Sequence, residues 1–298
     1  MKILYVTDIH GSRKLLKKIL DFQEMTDVLV VGGDICPNHL VPIIDYGDFI
    51  GMVKGKDIIK LKNMEEALDY KEILYENGYI PWFGTKEEFE KLDKEKYYIN
   101  AQEEFLNFFI KSIKKKFKKI FIVLGNDDRK VIKKILENAE GILHINEKIF
   151  ENEGYEFVGF SFVPITPFKT SFELKEEDIH IKIENLVKKL KNPSKSIWVF
   201  HAPPKDTGLD ICLKLDENLR PVYEDNEPVF HSVGSISVRN AIEKYQPFLY
   251  LCGHIHESPG IRKIGKTLCI NPGSEHEKGI LRLAFIDTEK REVEIWSL

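Results

Sequence analysis

Short apolar runs recur along the chain, and each ends at a polar side chain that can bind a metal ion. The runs are rich in Val, Ile, Leu, Phe and Tyr, which is typical of buried β-strands. In chain order the runs are KILYVT, DVLVVGG, KIFIVLG, SIWVF and FLYLCG. Because loops beyond the carboxyl ends of neighbouring strands converge in layered α/β folds, we expect the polar groups after these runs to meet at one place.

Helical patterns separate several of the runs, at residues 12–24, 100–117 and 235–244. Strands that alternate with helices predict an α/β fold whose central strands are covered on both faces. Three later segments, 148–162, 261–274 and 279–298, look like β-hairpins, with Gly265-Lys266 and residues 287–291 as the turns of the last two. The sheet is therefore predicted to be mixed, with parallel and antiparallel strands.

One long segment interrupts this alternation. About ninety residues separate Asp34 from Asn126, whereas a single βαβ connection needs about thirty. The surplus, residues 45–98, is charged, rich in aromatic residues and punctuated by Gly and Pro. We interpret it as a helical insertion within a single domain, residues 1–298, that serves as a lid, a substrate-selecting cap or a contact between subunits of a homo-oligomer.

Composition and charge narrow the function classes. The chain has 298 residues, of which 43% are hydrophobic and 31% charged, as in ordinary globular proteins. A net charge of −4 gives no indication of a nucleic-acid partner, and the basic run at 111–119 suits the end of a predicted helix. No signal peptide and no apolar run of ~20 residues is evident, so we expect a cytoplasmic protein that does not cross a membrane. The scattered cysteines indicate neither a zinc ribbon nor a disulfide framework.

The polar residues after the apolar runs form a set with mixed nitrogen and oxygen ligands. The candidate metal ligands are Asp8, His10, Asp34, Asn126, His201, His254 and His256. Four imidazoles, two carboxylates and one amide suit manganese, iron, zinc or nickel better than calcium or magnesium. Seven ligands are too many for one tetrahedral ion but suit two ions roughly 3.5–4 Å apart that share a carboxylate. One such residue at a strand end is usually a cap, but suitable ligands at five strand ends favour a metal site.

The order of the motifs resembles a known family. The segments DIH, GGD, GND, FHAPP and CGHIH, in that order, resemble the calcineurin-like metallophosphoesterases, and the stretch HSVGSISVRNAIEKYQPFLYLCGHIHES is similar to their Icc-type branch. The resemblance extends from Lys2 to about Gly273, apart from the insertion. It implies a four-layer αββα sandwich of two mixed β-sheets flanked by helices.

The resemblance also implies roles for the ligands. The first of two divalent ions, with manganese as first choice, would be held by Asp8, His10 and His256. Asp34 would bridge the ions. The ligands of the second ion would be Asn126, His201 and His254. A water activated by both ions would then attack the phosphorus of a small phosphate ester.

Asp127 departs from the family pattern, because many members have His directly after the ligand Asn. An aspartate with an ordinary pKa of ~3.9 beside two dications is ionised and donates protons poorly. We therefore expect esters with good leaving groups, namely phosphodiesters of small molecules such as nucleotides, or aryl esters. Two alternatives remain open for this role: His231 replaces the missing acid, or Asp127 orients a histidine ligand. Asp128 is expected to support the site.

The remaining candidates carry weaker signals. Arg129 and Arg239 are candidate phosphate contacts, although a surface salt bridge is the commoner role for such residues. Histidines without a motif are predicted to lie at the surface: His39, His144, His180 and His276. Two alternative functions also stay open at this point. One is a non-catalytic metal-binding scaffold of the same fold, and the other is a nuclease, which needs a basic groove that the sequence does not show.

Overall fold

Two six-stranded mixed sheets form the centre of the protein, and the computed structural model describes residues 1–55 and 57–298. The α-helices are α1 (Arg13–Leu20), α2 (Met64–Glu76), α3 (Lys86–Glu90), α4 (Lys94–Lys114), α5 (Lys133–Asn138), α6 (Glu176–Val187) and α7 (Ile236–Tyr245). The strands of the first half are β1 (Lys2–Val6), β2 (Val28–Val31), β3 (His39–Asp45), β4 (Ile50–Lys54), β5 (Asp57–Leu61), β6 (Tyr79–Thr85), β7 (Ile120–Ile122), β8 (Leu143–His144), β9 (Ile149–Asn152), β10 (Tyr155–Phe160) and β11 (Val163–Pro164). The strands of the second half are β12 (Glu173–Leu174), β13 (Ser196–Phe200), β14 (Ile211–Leu213), β15 (Tyr223–Glu224), β16 (Glu227–Pro228), β17 (Phe230–Ser232), β18 (Leu249–Leu251), β19 (Gly260–Ile264), β20 (Thr267–Asn271), β21 (Arg282–Asp287) and β22 (Glu292–Ser297).

Both sheets combine a parallel centre with antiparallel edges. The first has the order β22-β21-β1-β2-β7-β8, with β1, β2, β7 and β8 parallel. The second has the order β19-β20-β18-β13-β10-β9, with β10, β13, β18 and β20 parallel. The antiparallel pairs β9–β10, β19–β20 and β21–β22 are the three predicted hairpins. The predicted mixed α/β fold is confirmed.

The two sheets pack face to face, with helices on their outer faces. On β1, Ile3 and Tyr5 belong to the core between the sheets, while Leu4 and Val6 point to the helix side. The rings of Phe121 on β7 and Phe157 on β10 stack across the two sheets, with centroids 4.2 Å apart. Buried residues of α1 and α4 pack on one outer face, and those of α6 and α7 pack on the other. This arrangement is the αββα sandwich implied by the resemblance.

Local signals account for the helix starts. Ser12 caps α1 by accepting a hydrogen bond from the Leu15 backbone N–H, and Ser235 caps α7 in the same way. Helix α4 begins at Lys94, six residues before the predicted start, because Asp93 supplies its cap. Along the described residues, no helix has both the length and the apolar character needed to span a membrane.

The insertion differs from the predicted helical segment. It contains helices α2 and α3 but is built on a four-stranded sheet of order β5-β4-β3-β6, and this sheet begins at His39 rather than at Asp45. A small apolar core of its own, which includes Ile43, Met52 and Leu74, lies between this sheet and α2. The strands gave no clear pattern because β5 is exposed at four of its five positions and Pro42 interrupts β3.

Candidate metal centre

The predicted ligands lie at the carboxyl ends of five parallel strands from both sheets. Asp8 and His10 follow β1, Asp34 follows β2, and Asn126 follows β7. His201 follows β13, and residues 254 and 256 follow β18. Backbone hydrogen bonds join these loops: the N–H of His10 donates to the Asp34 carbonyl at 2.9 Å, and the N–H of Gly253 donates to the His201 carbonyl at 3.1 Å. The expected convergence at one edge of the sandwich is present.

Three of these side chains form a first cluster. The Nε2 atom of His256 lies 3.1 Å from Nε2 of His10 and 3.3 Å from Oδ1 of Asp8. Two ligands that are each ~2.1 Å from one ion stand ~3.0 Å apart at a right angle and ~3.4 Å apart at the tetrahedral angle. The observed separations therefore match those of atoms that share an ion.

A second cluster adjoins the first. Nε2 of His201 lies 3.1 Å from Oδ2 of Asp34 and 3.1 Å from Oδ1 of Asn126. His254 completes the group, with a ring nitrogen within 4.8 Å of the ligand atoms of Asp34 and His201. The two clusters meet at the carboxylates, since Asp8 Oδ1 is 4.0 Å from His201 Nε2 and the ligand atoms of Asp8, His10 and Asp34 lie within 4.8 Å of one another.

Unusual backbone conformations hold these side chains in place. Asp8, His10, Asp34 and His254 all have positive φ, between 46° and 67°, although none is a glycine. Non-glycine residues rarely adopt this conformation, and they cluster at functional sites when they do. Gly253 is required for a separate reason: a Cβ there would lie 2.2 Å from Oδ2 of Asp8.

Hydrogen bonds from neighbouring groups orient the ligands. Nδ1 of His201 lies 2.9 Å from the Gly32 carbonyl oxygen, which can only accept. Nδ1 must therefore carry the proton, which leaves Nε2 free to bind a metal. Oδ2 of Asp8 accepts from the Thr7 hydroxyl at 2.7 Å. The buried carboxylate of Asp128 accepts from three backbone N–H groups, those of Ile35, Cys36 and Gly125, and so ties two ligand loops together.

The electrostatic environment divides the four candidate imidazoles into two pairs with opposite pKa shifts. Burial lowers the pKa of His254 to about 3, and burial also places the pKa of His10 well below its usual value. For Asp8, burial favours the neutral acid, but the hydrogen bond and charge of His256 outweigh it and hold the pKa well below the ordinary range. Burial likewise opposes protonation of His201, yet the adjacent Asp34 carboxylate raises its pKa. Burial also opposes protonation of His256, but the adjacent Asp8 carboxylate raises its pKa, and burial raises the pKa of Asp34 to about 7. Metal binding requires neutral imidazoles and ionised carboxylates, so protons on these groups would have to leave as ions bind.

The donor set fits divalent transition metals. It combines imidazole nitrogens with carboxylate and amide oxygens, and its ligand atoms have the separations of coordinated pairs. Nδ1 of His10 is buried without a hydrogen-bond partner among the described residues. Nε2 of His10 faces Nε2 of His256 at 3.1 Å, so Nε2 is the nitrogen available to an ion in this cluster.

Comparisons with known proteins agree with this geometry. A family model described as calcineurin-like phosphoesterase matches residues 1–258. The chain belongs to this family. It is also 32% identical over 274 residues to the uncharacterized protein MJ1162 of Methanocaldococcus jannaschii, which covers 91% of this chain and 88% of that protein.

Solved structures show the fold of this calcineurin-like phosphoesterase. The crystal structure of TT1561 of Thermus thermophilus has a TM-score of 0.58 and 14% identity, covering 99% of this chain and 97% of its own. Another crystal structure has a TM-score of 0.61 and 20% identity, covering 99% of this chain and 98% of its own. Family membership supports metal-dependent hydrolysis of phosphoric esters.

Asp127 lies at the rim of the phosphoesterase site. Its Oδ2 atom accepts a hydrogen bond from the Asn38 amide, and its Oδ1 atom accepts one from Asn126 at 3.3 Å. Oδ2 also faces the unpartnered Nδ1 of His10 at 4.0 Å. Burial raises the pKa of Asp127 in the metal-free protein, in the direction opposite to the effect expected of bound dications.

The other predicted functional residues make their contacts elsewhere. His231 is exposed on β17, and in the described part of the chain it has no hydrogen bond or ring contact with the ligands. Both Nε and Nη2 of Arg129 bind the Glu95 carboxylate, at 2.9 and 3.2 Å. Arg239 pairs with Glu243 at 2.5 Å. These contacts are the salt bridges considered as the alternative, and a role for any of the three in phosphoester hydrolysis stays a prediction.

Two histidines predicted at the surface are not there. His144 is only 3% exposed, because β8 runs along the edge of the first sheet beneath α5. His276 is half-buried against the first cluster, with ring centroids 4.4 Å from His10 and 5.4 Å from His256. The signal that could have located His276 is the apolar run of β20, which is parallel to β18 and ends at the same edge. The hairpin pattern concealed that pairing.

Proposed function

We propose that the protein hydrolyses phosphodiesters of small molecules, such as nucleotides, with two divalent transition-metal ions. The observation that carries the proposal is the pair of adjoining clusters, whose ligand atoms are spaced like atoms that share an ion. Asp8 and Asp34 lie where the clusters meet, which supports a shared carboxylate between the ions. Manganese is the first choice, with iron, zinc and nickel as alternatives.

The proposed ligand assignment follows the two clusters. Asp8, His10 and His256 would hold one ion, and Asn126, His201 and His254 would hold the other, with Asp34 shared. When bound, the ions supply Lewis-acid activation of a water nucleophile and neutralise charge on the phosphoryl oxygens. The chain's own contribution is to orient the ligands. Gly32 fixes the His201 ring, and Asp128 fixes the loops that carry Asp34 and Asn126.

The surroundings of Asp127 support a preference for good leaving groups. Burial raises the pKa of Asp127, the hydrogen bond from the Asn38 amide opposes this shift, and two bound dications would favour the ionised carboxylate further. An ionised carboxylate cannot protonate an alkoxide, but Oδ2 lies 4.0 Å from Nδ1 of His10, where its negative charge would help to orient that ring. Aryl oxides and other stabilised leaving groups depart without a proton more readily than alkoxides do, so aryl esters and diesters with such leaving groups are the substrates expected here.

The test is metal content measured together with activity. The purified protein, reconstituted with Mn²⁺, is expected to bind two ions per chain and to cleave bis-p-nitrophenyl phosphate faster than an alkyl phosphate monoester. Removal of the metal by a chelator should abolish the activity, and Mn²⁺ should restore it. The variant His201→Ala should lose at least ~100-fold in activity, because even the loss of a group that orients a ligand costs ~10–100-fold.

A matched control is His180→Ala, which removes an exposed imidazole on α6 and should leave activity unchanged. Two bound ions without turnover of any ester would indicate a metal-binding scaffold. Preferential cleavage of DNA or RNA would indicate a nuclease. The salt bridges of Arg129 and Arg239 with glutamates argue against the basic groove that a nuclease needs.

A further inference from the structure

We propose that His276 is an additional protein ligand of the ion held by Asp8, His10 and His256. This inference rests on the proposed function, because it concerns the same metal site. The ligand atoms of His10, His256 and His276 lie within 4.8 Å of one another, the limit that also holds for Asp34, His201 and His254. None of the sequence motifs that follow the apolar runs includes His276, and only the folded structure brings it to the candidate metal site.

The position of His276 follows from the pairing of β20 with β18. Both strands are parallel, so the residues after β20 emerge beside the loop that carries His254 and His256. The backbone N–H of Ser274 donates to the His256 carbonyl at 3.2 Å, and its hydroxyl donates to the Asp8 carbonyl at 2.8 Å. The segment that precedes His276 is thereby fastened to two ligand-bearing loops.

The ring of His276 is oriented as well as positioned. Its Nδ1 atom lies 3.3 Å from the Ser274 hydroxyl oxygen, which leaves Nε2 as the nitrogen available to an ion. The loop is held from the other side by Glu275, which accepts from Arg282 Nε at 2.6 Å and from Lys278 at 2.9 Å. A side chain with one nitrogen tied by a hydroxyl and a loop fixed by two ion pairs is preorganised for coordination.

The surroundings leave room at this ion for both His276 and a substrate. A groove of about 420 Å³ opens beside the ring, and His256, His276 and Arg282 are among the residues that line it. Asp8, His10 and His256 with the shared Asp34 make four protein ligands, and octahedral metals take six. His276 would supply a fifth, and one position would remain for the water nucleophile or a phosphoryl oxygen.

The experiment is stepwise titration of the metal-free protein with Mn²⁺, with binding followed by calorimetry and by the electron paramagnetic resonance signal of free Mn²⁺. In His276→Ala, one of the two dissociation constants should rise ~10–100-fold, and the other should stay within twofold of wild type. His276→Gln, which keeps a polar side chain of similar length, guards against a local folding defect. The control is His180→Ala, which should match wild type.

A double variant identifies the ion that is affected. If His276 binds the same ion as His256, the double variant His256→Ala/His276→Ala should have only one weakened metal site, the one already weakened by His256→Ala. The double variant His201→Ala/His276→Ala should have both metal sites weakened. Dissociation constants within twofold of wild type in both His276 variants would overturn this inference and leave the proposed function intact. Wild-type protein that binds no Mn²⁺ would overturn the proposed function itself.

Discussion

Asp127 links the chemistry of a single side chain to the choice of substrate. It follows the predicted ligand Asn126, it accepts from two amides, and it stands where many members of the family have a histidine. An imidazole at this position could give a proton to the leaving alcohol, whereas an ionised carboxylate could not. The proposed preference for diesters therefore depends on one residue.

The variant Asp127→His should raise the hydrolysis of an alkyl phosphate monoester by about 10²-fold or more, the gain typical of general acid catalysis. Hydrolysis of bis-p-nitrophenyl phosphate should change much less, because p-nitrophenolate leaves without a proton. The measurement is kcat/KM for both substrates in protein with verified metal content. Asp127→Asn serves as control, since an amide supplies no acid. An equal rise in Asp127→Asn would show that the lost charge, not a new acid, causes the effect.

The residues of the two clusters could be predicted to meet from sequence, because they follow apolar runs that become neighbouring strands. His276 could not, because its neighbours His10 and His256 are 266 and 20 residues away along the chain. Only the parallel pairing of β18 with β20 brings it to them, and the antiparallel hairpin of β19 with β20 dominates the local pattern.

The insertion, defined by strands β3–β6 and helices α2 and α3, contacts the metal-binding loops directly. The end of α2 packs on the segment after β1: the Ser12 hydroxyl donates to the Glu76 carbonyl at 3.3 Å, and Lys17 pairs with the Glu76 carboxylate at 2.7 Å. Gly78, with φ of +89°, lies so close to His10 that a Cβ would be 2.1 Å from its carbonyl oxygen. The insertion therefore supports the position of a predicted ligand.

Two glycines of the insertion allow this contact to be tested. Gly78→Ala and Gly47→Ala both place a side chain at φ near +90°, so backbone strain should cost both ~1–2 kcal/mol in the free energy of unfolding, and the clash with His10 adds to the cost of Gly78→Ala. A Cβ at Gly47 meets no atom within 4 Å, whereas one at Gly78 displaces the loop of His10. Of the two variants, only Gly78→Ala should weaken Mn²⁺ binding, by about tenfold or more. Equal Mn²⁺ affinity in the two variants would show that the insertion does not hold the ligand loop.

The strands of the insertion could not be predicted from the hydrophobic pattern of the sequence. Strands of the central sheets are buried on both faces, so their apolar runs are unmistakable. Strand β5 is exposed at four of its five positions, and a short exposed strand has no hydrophobic signature. Its pairing with β4, not its composition, makes it a strand.

At the scale of the whole molecule, we expect stability to depend on pH through His144, which lies outside the two clusters. His144 is buried on β8, and neither ring nitrogen has a hydrogen-bond partner in the described part of the chain. Burial lowers its pKa from 6.5 to about 4. Because the unfolded chain binds the proton more readily, the stability associated with His144 is complete above pH 6.5 and is lost as the pH falls towards 4.

The variant His144→Leu should reduce this acid sensitivity. Between pH 7.5 and 4.5 the free energy of unfolding of wild type should fall by about 2–3 kcal/mol more than that of the variant, at ~1.36 kcal/mol per pKa unit. Urea unfolding of chelator-treated protein at both pH values measures the difference without interference from metal release. His180→Leu, an exposed position, should behave as wild type. If the free energy of unfolding fell equally with pH in wild type and His144→Leu, His144 would not be the source of the acid sensitivity.

The order of strands in the first sheet has a consequence for synthesis on the ribosome. Strand β1 is central, between β2 and β21, and its loop carries His10, whose partner His256 lies 246 residues later. At roughly 5–20 residues per second, about 10–50 s separate the synthesis of the two histidines. Throughout that interval one edge of β1 has no strand to pair with, because β21 has not been made, and exposed edges invite aggregation. The nascent chain therefore needs protection at β1, and it can complete the first cluster only when nearly the whole sequence has emerged.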